Sequence, residues 1–308
     1  MYFPTGLRNR QKILHRLTRP QEIARYGWRQ LGKVGEQISL KNYASLADAL
    51  LVSFPKSGRT WLRYVLAHYF ASGFEKGSAA LNLHDMFAFI PNFDLDPVRG
   101  IPAFRSQVPA GKIPMVLVSH EVNWLLLPKQ LPVIFMVRDP RDVLVSAYFH
   151  TTRHKSSFSG SLDSFIDDRQ RGLPLIISYL NRWSRKLQGR PYHVLSYERM
   201  SADPVSEVSA LLDFIGCEIN HQRLMAAIEA GQFERMRKME VVEGLPGHEY
   251  DRKDDESLRM RKGQVGGFRS YLSSAQISRI EAICNCDLSP SAKALMIEAG
   301  VDMASRCP

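Results

Sequence analysis

One stretch constrains this chain more than any other, SFPKSGRTWLRYVL, which begins at Ser53. The short apolar run ALLVSF stops at Pro55, and Leu62, Val65, Leu66, Tyr69 and Phe70 then recur at helical spacing. The pattern predicts a strand, a tight turn and a helix. A turn so placed aims several backbone N–H groups and the positive end of a helix dipole at one point, which suits an anion. Gly58 permits the tight backbone path, Lys56 supplies a mobile cation, and the hydroxyls of Ser57 and Thr60 can donate to phosphate oxygens. A Walker A loop places its lysine after the second glycine, whereas here it precedes the glycine; that weakens a P-loop kinase reading. An ordinary strand-to-helix turn with a surface lysine is the plain alternative.

Three more short apolar runs, MVLVSH (115–120), VIFMV (133–137) and HVLSY (193–197), read as buried parallel strands. Helices are expected over 141–151, 174–188 and 204–215, the last with Asp203 as cap, Pro204 in the first turn and Gly216 after its end. The succession predicts an α/β fold: a single domain with a central, mainly parallel sheet flanked by helices, carrying a P-loop-like phosphate-binding strand–loop–helix. A length of 308 residues fits one large domain. From Glu240 to Gly267 glycines, Pro246 and the charged run DRKDDE interrupt any period, so a long, mobile loop is expected there.

The formal charge of +10 points to an anionic partner: nucleic acid, a membrane surface or a polyanionic small molecule. Residues 1–41 hold nine Lys or Arg against two Glu, which marks a basic N-terminal helical arm over 1–45 ahead of a domain over 46–308. Ile13, Leu14, Leu17, Trp28 and Leu31 would give that arm an apolar side. Peripheral membrane contact is one reading of it, and a solvated arm docked on the domain is the other. No apolar run reaches ~18 residues and no secretory h-region follows the N-terminus, so a cytoplasmic protein is expected. The four cysteines, Cys217, Cys284, Cys286 and Cys307, read as free thiols. No carboxylate or Cys/His cluster has metal spacing, and no metal is expected.

A second element switch follows VIFMV, in RDPRDVLVS. Arg138 at the strand end offers a planar fork for phosphate, and the Ser146 hydroxyl about two turns along can face the same side. Pairing of Arg138 with Asp139 or Asp142 is the alternative. His120 ends the strand MVLVSH; an imidazole of ordinary pKa about 6.5 can take a proton from a hydroxyl near neutral pH, or can simply be a satisfied structural group.

Taken in order, PKSGRTW, RDPRDVLVS and RKGQVGGF resemble the 5'-phosphosulfate loop, the 3'-phosphate motif and the C-terminal R-K-G-x-x-G segment of the cytosolic sulfotransferase family, over about Leu50 to Leu288. The resemblance implies transfer of a sulfuryl group from PAPS (3'-phosphoadenosine 5'-phosphosulfate) to an acceptor hydroxyl or amine, releasing PAP (adenosine 3',5'-bisphosphate). By the same similarity His120 would be the catalytic base and Lys56 would stabilise the leaving 5'-phosphate, held also by Ser57, Gly58, Arg59 and Thr60. Trp61 would stack on the adenine, Arg138 and Ser146 would bind the 3'-phosphate, and Arg261, Lys262 and Gly263 would close over it. Tyr197, in SYERM, and Phe233, in GQFERM, would lie near the adenosine, with Met260 lining the same pocket.

Four positions depart from the family pattern. Arg59 replaces its usual threonine, Gln232 a serine, and Gly267 and Phe268 an aspartate and a tryptophan. The family's dimer motif would fall on RSYLSSAQIS (269–278), which lacks its threonine, valine and glutamate. The acceptor, a small molecule or carbohydrate, carries no readable motif. Phe87, Phe89, Phe93 and Phe104 fit either an aromatic-lined acceptor pocket or a small satellite core. Nucleic acid is not expected as a partner; an ATP-dependent kinase and a basic nucleic-acid or membrane-surface binding protein are the rival readings.

Overall fold

The computed structural model describes residues 34–74, 81–121, 126–247 and 249–301. Four strands form one sheet: β1 (Ala49–Ser53), β2 (Val116–Ser119), β3 (Val133–Val137) and β4 (Tyr192–Ser196). Their order is β2-β1-β3-β4, and every neighbouring pair is parallel. Leu51 is registered with Val118 on one side and Ile134 on the other, and Phe135 with Val194.

The strands are apolar throughout because both faces of the sheet are covered. Alternate residues feed two separate cores. Leu50, Val52, Phe135 and Val194 pack with Phe165, Ile176, Leu180, Trp183 and Leu295. Leu51, Ile134, Met136 and Leu195 pack with Leu62, Leu66, Val208, Leu211 and Leu224 on the opposite face. The long helices supply these layers: α1 (Arg59–Ala71), α2 (Pro140–Phe149), α3 (Leu173–Leu187), α4 (Pro204–Phe214), α5 (His221–Ala230), α6 (Phe233–Glu243), α7 (Ser274–Asp287) and α8 (Pro290–Glu298).

The expected α/β architecture is the observed one, and the three expected helices correspond to α2, α3 and α4. Asp203 caps α4 by accepting from the Ser206 amide at 3.0 Å. Two boundaries are corrected. α2 ends at Phe149, and 150–154 continue as a wider π-helical turn. The segment expected to be a loop from Glu240 is helical to Glu243, because α6 runs through it. Good helix formers (Glu, Arg, Lys, Met) fill that stretch, and their charge hid its period. Beyond Glu243 the chain is irregular until a 3-10 turn at Gly267–Ser270, His248 lying outside the described residues.

Of the basic arm, residues 1–33 lie outside the described residues; 34–44 are helical, and Leu40 and Ala44 join the first core. Among the described residues no helix is long and apolar enough to cross a membrane. Cys217, Cys284 and Cys286 are free thiols, while Cys307 lies outside the described residues.

Candidate active site

Parallel strands deliver their carboxyl ends to one edge of the sheet, and the crevice there is where an open α/β fold holds its ligands. In sheet order the residues just past the four strand ends are His120 (β2), Lys56 (β1), Arg138 (β3) and Tyr197 (β4). All four line one cavity of about 860 Å³. Gly58, Arg59, Thr60, Trp61, Ser146, Phe233, Met260, Arg261, Lys262 and Gly263 line it as well. Ser57 does not, and is 2% exposed.

The loop after β1 is built by two residues in the left-handed region. Gly58 has φ 93° and caps α1; a Cβ there would lie 2.4 Å from the Tyr197 ring and 2.9 Å from the Met136 methyl, so glycine is required by conformation and by space. Lys56 has φ 75°, a conformation that costs a non-glycine residue roughly 1–2 kcal/mol. This strain sits at the centre of the site, as functional strain commonly does. Burial, with the Arg259 guanidinium acting in the same direction, pushes the Lys56 amine down to about 7.

His120 is oriented by the strand next to its own. Its Nδ1 lies 2.8 Å from the Ser53 carbonyl oxygen. A carbonyl can only accept, so Nδ1 carries the proton and Nε2 the lone pair. Nε2 accepts from the Arg59 guanidinium at 2.5 Å. Burial, then the charge of Arg59, holds the imidazole well below its ordinary range, so it is neutral at pH 7. Arg59 thus directs its side chain at the histidine.

Arg138 joins the second motif to the first. Its Nη2 donates to the Gln264 carbonyl at 2.9 Å and Nη1 to the Lys56 carbonyl at 3.4 Å, with the guanidinium 4.1 Å over the Tyr197 ring. Asp142 stands 3.6 Å away, a loose form of the alternative ion pair. Arg138 Nε is buried without a partner among the described residues. Tyr197 in turn meets Trp61 edge-on at 5.5 Å.

The segment after α6 covers this end of the cavity and is fixed by two buried carboxylates. Glu240, 0% exposed, accepts from the Arg259 amide (2.7 Å), the Met260 amide (2.8 Å) and the Tyr250 hydroxyl (2.7 Å). Asp142 accepts from the Gly266 amide (2.8 Å) and the Phe268 amide (2.9 Å). Asp142 and the buried Phe268 ring, flanked by Arg141 and Arg269 at 4.6 and 4.7 Å, therefore anchor the segment where Gly267 and Phe268 depart from the family pattern. Arg261 lines the cavity, but its guanidinium is held by Glu256 (3.0 Å) and the Tyr271 hydroxyl (2.5 Å). Lys262 rests 4.4 Å over the Tyr271 ring, and a Cβ on Gly263 would strike the Phe233 ring at 2.3 Å.

Sequence reasoning missed Arg63, Arg99, His150, Lys155 and Arg259, all of which line the cavity. Arg63 had a readable signal: it stands four residues after Arg59 and so on the same helix face. Of the four phenylalanines in the segment 84–105, Phe87 lines the cavity and also belongs to the second core, while Phe89, Phe93 and Phe104 pack into the cores. Among the described residues no group of His, Cys, Asp or Glu is arranged to hold a metal ion.

Comparison with known proteins identifies the family. The Sulfotransferase domain model matches residues 46–296. Sulfotransferase 1A1 of Bos taurus is 28% identical over 256 residues, covering 79% of this chain and 84% of its own. Cytosolic sulfotransferase 17 of Arabidopsis thaliana is 26% identical over 262 residues, covering 77% and 72%. The crystal structure of a mouse sulfotransferase complexed with PAP superposes with a TM-score of 0.55 at 20% identity, covering 84% of this chain and 93% of that one. That match is one of fold, and the family model spans most of the domain: the chain belongs to the sulfotransferase family.

Proposed function

We propose that this chain transfers a sulfuryl group from PAPS to the hydroxyl or amine of a small acceptor and releases PAP. The observation that carries this reading is the convergence of Lys56, His120 and Arg138, from three adjacent strand ends, on one cavity. The residues present fit PAP. Arg138 offers an N–H that is buried and unpartnered among the described residues. Lys56 and the amides that open α1 converge on the same point. Ser146 and Lys262 line the same end, and Trp61, Tyr197 and Phe233 supply aromatic faces for a base.

Each side chain then has one task. His120 Nε2 takes the proton of the acceptor hydroxyl or amine as that atom bonds to sulfur; the bond from sulfur to the 5'-phosphate oxygen breaks and its electron pair leaves with PAP. Lys56, protonated beside the donor's phosphate, stabilises the negative charge that builds on the leaving oxygen. The Ser53 carbonyl holds the imidazole in the tautomer this requires.

Transfer of radiolabelled sulfate from PAPS, scored over a panel of phenols, alcohols and amines, tests the reading. His120→Ala is expected to lose about 10²–10⁴-fold in turnover while PAP affinity, measured by calorimetry, stays within a factor of two. Lys56→Ala is expected to lose both. Wild-type turnover in His120→Ala removes the base assignment.

A further inference from the structure

The β2 side of the cavity carries more positive charge than a donor site needs. Arg59 and Arg63, one turn apart on α1, both line it. Arg63 is 4% exposed, donates to Asn92 Oδ1 at 2.7 Å and lies 4.4 Å over the Phe87 ring. Those partners come from the segment that bridges to β2 at Val118, away from Arg138 and Tyr197. Among the described residues, Arg59 Nη1 and Arg63 Nε are buried with no hydrogen-bond partner, and neither arginine forms an ion pair. The nearby carboxylates do not neutralise them. Asp94 acts on Arg63 only at a distance, Glu121 is bound by Arg182, and Asp96 by Arg99. Arg99 and Arg259 add to the positive field.

Two adjacent guanidiniums without a paired carboxylate, that of Arg63 buried and that of Arg59 half-buried with Nη1 shielded, carry a desolvation cost, which an anionic ligand offsets. Burial lowers Arg59 to about 10 and Arg63 well below its ordinary value. The donor's phosphates have their own partners at the β1 and β3 ends. Arg59 also occupies the lone pair of His120, so the base is masked until something competes for that guanidinium.

We propose that the acceptor is itself an anion, a hydroxyl- or amine-bearing small molecule that also carries an oxyanion group (carboxylate, phosphate or sulfate). Arg59 and Arg63 bind that group as a pair, and its charge draws Arg59 off His120 Nε2, which is then free to take the acceptor's proton. This rests on the sulfuryl-transfer reading above. A planar arginine fork suits any of the three oxyanions, and the test separates them.

The experiment uses the full chain and four matched phenols: 4-methylphenol, 4-hydroxybenzoate, 4-hydroxybenzenesulfonate and 4-hydroxyphenyl phosphate. kcat/KM is read at saturating PAPS, and binding of each phenol to the enzyme–PAP complex is read by calorimetry. At least one anionic phenol is expected to exceed 4-methylphenol about tenfold or more in wild type, and the one favoured most names the oxyanion. Arg63→Gln is expected to bring that ratio to about threefold or less with PAP affinity unchanged, and Arg63→Lys to keep part of the preference. Arg59→Thr is expected to raise turnover of 4-methylphenol relative to the anions, because the base is no longer masked.

Equal or better use of 4-methylphenol overturns the proposal. So does an Arg63→Gln variant that changes charged and uncharged acceptors by the same factor, which would place the arginines on the transferring sulfuryl group. If no phenol is turned over, anion-selective binding to the PAP complex decides it, and binding without charge preference overturns it. Failure of PAP itself to bind would instead overturn the donor reading, while the Arg63-dependent anion preference in direct binding is still scored.

Discussion

The residue with the most to report is Lys56, whose amine is held near 7 by burial and neighbouring cations while its backbone sits in a strained conformation. Binding an anion beside it raises that pKa, so between the free and bound values each binding event takes up a proton. PAP phosphates are fully ionised above about pH 7, their second pKa being about 6, so the uptake there belongs to the protein. PAP affinity is therefore expected to fall as pH rises from 7 toward 9, by up to about tenfold per unit, and calorimetry in two buffers of different ionisation enthalpy is expected to show net proton uptake. Lys56→Met is expected to bind more weakly and with a flat profile. The place of Lys56 at the cavity was legible from its position in a strand–turn–helix. Its depressed pKa was not, because burial, and after it the charge of Arg259 about two hundred residues away, arise only in the fold. Arg59 gives the converse lesson: its departure from the family threonine was plain in the sequence, but its contact with His120 depends on β2 lying beside β1, and sheet order is not written in any single motif.

At the scale of elements, the turn into α1 and the cover after α6 hold the donor end together. Gly58→Ala adds a methyl 2.4 Å from the Tyr197 ring at a backbone angle that disfavours any side chain. It is expected to destabilise the protein by about 1–3 kcal/mol in denaturant melts, and to weaken PAP binding because Tyr197 carries Arg138 on its face. Asp142→Ala removes the acceptor of two backbone amides and releases the cover at Gly266–Phe268. The expected cost is about 1–3 kcal/mol, with weaker PAP binding and faster hydrogen exchange over 260–270. The strands and the helices over 140–149, 173–187 and 204–214 could be read from apolar runs and caps. α6 and the π-helical turn after α2 could not: the first is mostly charged on its exposed faces, and the second is a local widening that leaves no trace in periodicity.

The whole molecule has one organising fact, a four-stranded parallel sheet whose order β2-β1-β3-β4 lines up His120, Lys56 and Arg138, the proposed base, leaving-group cation and 3'-phosphate ligand, along one edge. The family model over residues 46–296 gives the family, and the likeness to a solved sulfotransferase gives the fold. The motifs stand in order in the sequence and so made the proposed donor end legible, whereas the proposed acceptor end brings Arg59 and Arg63 of one helix to Phe87, Asn92 and Glu121, which carry no motif and reach them only in the fold. The account's central claim is that the two phosphate sites belong to one bisphosphate nucleotide. Calorimetric titration with PAP, with AMP and with Mg²⁺–ATP, on wild type and Arg138→Ala, measures this directly. The expected result is PAP at least about tenfold tighter than AMP and ATP, with Arg138→Ala removing most of the PAP advantage. Mg²⁺–ATP binding as tightly as PAP, or an unchanged PAP-to-AMP ratio in Arg138→Ala, would contradict it.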